Sequence, residues 1–204
     1  MFKRVLPIFL AALMLFSTTV RAAVYEHFPD VPMDAEYAEA VNYLAELGIF
    51  SGDNNGNFNP DKTITRAEFA AVIVRMMSEA DRAASVTKSS FTDVPSTHWA
   101  CGYVTIAVEL GLVSGYGNGK FGPGDTLTDE QAIKVLVCAL GDEKNASGLG
   151  GYPNGYIAYA NNLGLATKNE VQIGKAISRA KVAILLSKTI MIREMQNGLS
   201  NEME

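Results

Sequence analysis

Cysteine is nearly missing from this chain: Cys101 and Cys138 are the only two among 204 residues. One bridge at most can form, which argues against a disulfide scaffold; the two residues read as small side chains buried on packed helices or, alternatively, as a single bond. With two histidines and no CxxC pair, a zinc site lacks its usual ligand set. Basic residues are also scarce, 17 Lys and Arg against 22 Asp and Glu. That balance gives no broad attraction to a polyanion, which removes nucleic acid as a partner. No apolar run reaches the roughly 20 residues of a membrane helix. GxSxG, HExxH and a Gly-rich phosphate loop are absent as well, so no motif points to an enzyme or to a cofactor.

What is present begins with Lys3 and Arg4 ahead of an apolar run from Val5 to Phe16, followed by the small residues Val20 and Ala22. This is the pattern of a secretory signal peptide, residues 1–22, cut after Ala22. Export removes Lys3, Arg4 and Arg21, leaving 14 basic residues against 22 acidic ones and a net charge of −8. The mature chain is expected to be secreted and to have no membrane span.

Internal repetition is the strongest signal. Laying Phe28 on Phe91 aligns fifty residues without a gap at an offset of 63, with eighteen identities. Phe28, Asp30, Val31 and Pro32 recur as Phe91, Asp93, Val94 and Pro95, and Ser51-Gly52, Asn55-Gly56 and Phe58 recur as Ser114-Gly115, Asn118-Gly119 and Phe121. A weaker third copy starts near Tyr152, echoes Leu110-Gly111-Leu112 in Leu163-Gly164-Leu165, and reaches Ile177-Ser178-Arg179-Ala180, which parallels Ile64-Thr65-Arg66-Ala67. The units are placed at 23–90, 91–145 and 146–198, with a tail at 199–204.

Each unit reads as helix, loop, helix. Asp34 is expected to cap a first helix with Tyr37, Val41, Leu44 and Leu47 on its apolar face, and Gly48 to end it; Ser96 or Thr97 would do the same before Trp99. The loops from Ser51 to Pro60 and from Ser114 to Pro123 are rich in Gly and Asn and turn the chain. The second helix opens at Thr65, Thr128 or Ser178, where Thr65 with Glu68 and Thr128 with Gln131 form capping-box pairs. One helix pair cannot cover both apolar stripes, so the units must pack on each other. Asp53, Asn55 and Asn57 imitate a calcium loop, but the glycine and the closing Glu are misplaced, so no metal is assigned.

FxDV (Phe28 to Val31, Phe91 to Val94), HWA (His98 to Ala100), GxxNGxF (Gly52 to Phe58, Gly115 to Phe121) and ITRAE (Ile64 to Glu68) together resemble the S-layer homology family. The resemblance runs from Phe28 to about Thr189, the third unit being degenerate. It implies an all-α, pseudo-threefold bundle of three helix-loop-helix repeats with grooves between neighbours. It also implies non-covalent binding to a pyruvylated secondary cell-wall polysaccharide linked to peptidoglycan, with other surface proteins as further partners; the alternative is a surface protein-interaction module that has lost its sugar.

Arg66 and Arg179 are the leading ligand-binding candidates, because a cation at a helix start opposes the dipole and a guanidinium can hold a carboxylate at two points. A salt bridge to a neighbouring acid is the other reading of each. Asp30 and Asp93 could accept from sugar hydroxyls or tie down a turn. Trp99 and the aligned Tyr152 offer a face to a sugar ring or a place in the core. Arg66→Ala and Arg179→Ala are each expected to reduce wall binding without changing the helical signal, and Asp129→Ala, at the matching position of the second unit, to leave wall binding unreduced.

Overall fold

The computed structural model describes residues 28–201, so the signal-peptide reading of residues 1–22 lies outside it. The helices among the described residues are α1 (Ala38–Glu46), α2 (Arg66–Met76), α3 (Ala80–Ala84), α4 (Cys101–Glu109), α5 (Asp129–Ala139), α6 (Glu143–Gly148), α7 (Asn154–Asn162) and α8 (Arg179–Asn201). No β-strand occurs among these residues. The protein is all-α.

The units are interleaved. α4 of the second unit packs on α2 of the first, α7 of the third on α5 of the second, and α1 of the first on α8 of the third. Each first helix thus hides its stripe on the second helix of the preceding unit, and the cycle closes. α8 is the longest helix because its C-terminal part covers α1, the task that the short α3 and α6 share beside α4 and α7.

At the centre the three segments that lead into α2, α5 and α8 meet edge to edge. The amide of Ile64 donates to the carbonyl of Ile177 (3.1 Å), Ile177 to Leu127 (2.9 Å) and Leu127 to Ile64 (3.1 Å). All three side chains are buried. Short bridges Thr63 to Ser178, Thr65 to Thr126 and Thr128 to Ala176 flank this ring.

The repeated motifs have mechanical causes. Phe28 packs on Phe58 with centroids 5.4 Å apart, and Phe91 on Phe121 at 5.5 Å. Gly115 passes directly under the Phe91 ring, where a Cβ would stand 2.3 Å from Cε1. Gly48, Gly111 and Gly164, with φ of 67°, 71° and 71°, end the first helices in the left-handed region.

Three features differ from the sequence expectation. Asp34 does not cap α1, whose start lies at Ala38 after two tight turns closed by the amides of Ala35 onto Pro32 and of Ala38 onto Ala35. Likewise α4 begins at Cys101, beyond Ser96 and Thr97, and His98 Nδ1 accepts from the Ala100 amide at 3.1 Å. Leu47 is 51% exposed, outside the stripe it was assigned to. Both cysteines are free thiols, Cys101 buried and Cys138 half-buried.

The starts of the second helices are capped by side chains. Thr65 Oγ1 accepts from the Glu68 amide (3.2 Å) and Glu68 Oε2 from the Thr65 amide (2.9 Å). Gln131 Oε1 accepts from the Thr128 amide at 3.1 Å, while Thr128 Oγ1 is buried without a partner. Ser178 Oγ accepts from the Lys181 amide at 3.3 Å. Thr65→Ala is therefore expected to lower stability by about 1 kcal/mol in urea unfolding. Unchanged unfolding would show that the hydroxyl is replaceable by water.

Candidate functional site

The first residue of each second helix reaches across to the loop of the next unit. Arg66, from unit 1, donates from Nε to Phe121 O (3.0 Å) and from Nη2 to Ser114 O (2.8 Å). Its guanidinium lies over Phe121 and Tyr116, 4.5 and 4.9 Å from their centroids. Arg179, from unit 3, repeats this on unit 1: Nε to Phe58 O (2.7 Å), Nη2 to Ser51 O (3.1 Å), stacked over Phe58 and Phe50 at 4.7 and 5.0 Å. The partners are carbonyls and rings, not the neighbouring acid of a salt bridge. The side of the fork formed by Nε and Nη2 is engaged in joining units, and the end formed by Nη1 and the second Nη2 hydrogen is left for another acceptor. Arg179 is buried, which lowers its pKa, while the carboxylates of Glu68, Asp30 and Asp53 act the other way.

Asp129 takes the same position in unit 2 with the opposite charge. It is buried, accepts from the Gln172 amide at 2.9 Å and is paired with Lys181, whose ammonium also reaches Glu170 O. Asp129→Ala would remove a buried partner from a cation and an amide, so a loss of stability is expected from it.

Asp30 and Asp93 hold their own loops. Asp30 Oδ1 and Oδ2 accept from the amides of Phe58 (2.7 Å) and Asn59 (2.6 Å); Asp93 accepts from Phe121 and Gly122, both at 2.8 Å. Desolvation pushes the Asp93 carboxyl up, but the two amides outweigh it and hold it below its ordinary value. Each carboxylate is tied to the turn, with its oxygens aimed at backbone rather than at solvent.

Trp99 and Tyr152 are 58% and 48% exposed, so neither is a core residue. Each closes a groove. The first, of about 310 Å³, is bounded by Phe50, Ser51 and Asn59 of unit 1, by Glu68 and Arg75 on α2, by Arg179 and by Trp99. The second, of about 230 Å³, is bounded by Val113 and Ser114 of unit 2, by Gln131 and Lys134 on α5, by Arg66 and by Tyr152. The two are counterparts under the internal symmetry: in each, one unit supplies the loop and helix, the preceding one an arginine, and the following one an aromatic ring. The six candidates thus divide: the arginines and aromatics converge on the grooves, whereas the two aspartates stand behind the loops.

Lys62, Arg75 and Lys134 line the grooves without having been singled out in the sequence. Comparing Ala71 with Lys134 and Arg75 with Cys138 across the repeat would have marked Lys134 and Arg75, since a charge on one copy of a packed helix calls for a reason. In the third location Asp129 replaces the arginine, Lys181 the capping acid and exposed Glu36 the aromatic. The interior is occupied by the protein's own ion pair.

Comparison with known proteins gives two matches to the S-layer homology domain, at residues 27–70 and 90–133. The third unit lies beyond both. A cell surface protein of Thermoanaerobacter kivui is 36% identical over 183 residues, 89% of this chain and 23% of that protein. A middle cell wall protein of Brevibacillus brevis is 33% identical over 165 residues, 80% of this chain and 15% of its own length. An amylopullulanase of Thermoanaerobacterium thermosulfurigenes is 31% identical over 101 residues, 5% of that protein. The chain spans less than a quarter of the length of these relatives. Together the matches support cell-wall anchoring in general and a location at the cell wall or S-layer.

Proposed function

From the two S-layer homology repeats at residues 27–70 and 90–133, we propose that this chain is a non-enzymatic module that holds itself to the wall by gripping a secondary polysaccharide linked to peptidoglycan. The observation that carries the reading is the convergence of a guanidinium and an exposed aromatic ring on each of two symmetry-related grooves. An aromatic face suits the apolar face of a pyranose, and the free end of an arginine fork suits a carboxylate such as that of a pyruvyl ketal. The degenerate third unit acts as the member that completes the ring and supplies Arg179 and Tyr152. The amylopullulanase, of which the match spans 5%, is in keeping with a module that can accompany a catalytic region without being one.

The test is retention on purified wall sacculi. The protein is expected to sediment with intact sacculi and to stay in solution after the secondary polymer is stripped by mild acid. Equal retention on stripped peptidoglycan would overturn the polymer as ligand. Release of labelled sugar from the wall would overturn the non-enzymatic assignment.

A further inference from the structure

Trp99 is held by a few neighbouring side chains rather than by the core. Its ring borders the groove on one side and, on another, a cavity of about 200 Å³ bounded by Val86, Ser96, His98 and Tyr103. An exposed ring with room on two sides has more than one rotamer open to it, and a ligand that stacks on one of them loses affinity to the ordering it must impose. Two rings touch the indole: His98, stacked with centroids 5.9 Å apart, and Tyr103, tilted at 6.5 Å. Tyr103 follows Trp99 by four residues and lies on the first turn of α4.

Tyr103 is itself fixed from the first unit. Arg75, near the end of α2, lays its guanidinium 4.9 Å from the Tyr103 centroid. It donates from Nη2 to the Tyr103 hydroxyl (3.3 Å) and from Nη1 to the carbonyl of Ile49 (3.2 Å), just beyond α1. Among the described residues it makes no ion pair. A planar guanidinium that spans a carbonyl, a hydroxyl and a ring face ties the end of α1 to α4 in one rigid contact. The arrangement belongs to this junction alone. Aligned with Arg75 and Tyr103 are Cys138 and Tyr156 at the next junction, and Lys188 and Ala40 at the third. Tyr152 meets Tyr156 edge-on at 6.3 Å, and a thiol stands where the guanidinium would brace it.

Resting on the wall-polymer reading, we infer that Arg75 is a positioning residue: through Tyr103 it holds the Trp99 ring in the orientation on which a sugar stacks, and its contribution to binding passes through that ring rather than through its charge.

Trp99 is the only tryptophan of the chain, so its emission reports on this ring alone. Arg75→Ala and Tyr103→Leu are each expected to lower the tryptophan anisotropy of the full chain in the absence of polymer. Each should also weaken retention on sacculi, measured on the folded fraction, by about threefold to tenfold. In a Trp99→Ala background, which the Tyr152 groove keeps measurable, the same two substitutions should weaken retention no further, since no indole remains to be positioned. A loss from Arg75→Ala that persists in full without Trp99 would place the guanidinium on the polymer itself and overturn the inference. Wild-type anisotropy in both single variants would overturn it as well. Wild-type chain that failed to sediment with sacculi would overturn the polymer reading, whereas the anisotropy, read without polymer, decides by itself whether Arg75 steadies the ring.

Discussion

Gly102→Ala is expected to destabilise the domain by at least about 3 kcal/mol, with a matching fall in the urea midpoint. A Cβ at Gly102 would lie 1.9 Å from the carbonyl oxygen of Ala83 and 2.8 Å from its carbon, both backbone atoms of the helix packed against α4. No rotamer change can relieve that contact, so α3 and α4 must separate along a buried interface. Gly155 meets the Ala146 carbonyl in the same way, at 2.3 Å, and Gly155→Ala should fail for the same reason. Gly148→Ala is the control: nothing lies within 4 Å of its Cβ and its φ is negative, so the change should stay within about 0.5 kcal/mol. A Gly102→Ala protein with the native midpoint would mean that the helices approach less closely than the structure gives.

The second large effect is that of Arg179→Ala. Two charge-assisted hydrogen bonds to carbonyls, each contributing about 1.5 kcal/mol or more, and two stacked rings are lost together, so stability should fall by about 3 kcal/mol. Retention on sacculi, measured on the folded fraction, should drop as well, by about tenfold or more, because Arg179 lines the Trp99 groove. This reverses the expectation that the fold would not notice the change. Arg66→Ala should show the same pattern more weakly, since Arg66 is half-exposed. Arg179→Lys separates charge from shape: lysine keeps the cation but cannot reach Ser51 and Phe58 together from one plane. Full stability in Arg179→Lys would show that charge alone is enough.

Much of the fold was legible because duplication makes the sequence its own control. Positions that persisted between Phe28 and Phe91, or between Gly48 and Gly111, are those where backbone geometry or ring packing allows no substitute. The pairing of Asp30 with Phe58 and Asn59 was not legible, since twenty-eight and twenty-nine residues separate partners that only the folded loop brings together. The chemistry of Arg66 was half-legible. A cation opposing a helix dipole does need a compensating partner, but sequence offers no sign that carbonyls on the next unit provide it. The shift of α1 and α4 toward later starts escaped notice for a local reason: Asp34, Ser96 and Thr97 are good caps, but tight turns closed by the amides of Ala35 and Ala38, and of His98 and Cys101, intervene before either helix begins.

The hydrogen-bonded triangle of Ile64, Leu127 and Ile177 sets the copy number. Each unit gives one amide and takes one through its carbonyl, so the circuit has no vacant donor or acceptor at its centre. A fourth unit could be admitted only by breaking a link and widening a buried axis filled by three branched side chains. Duplication of a single unit would therefore yield an orphan, with its first helix stripe bare and its arginine pointing at no loop. A second ring of this kind would need three units of its own to close its circuit.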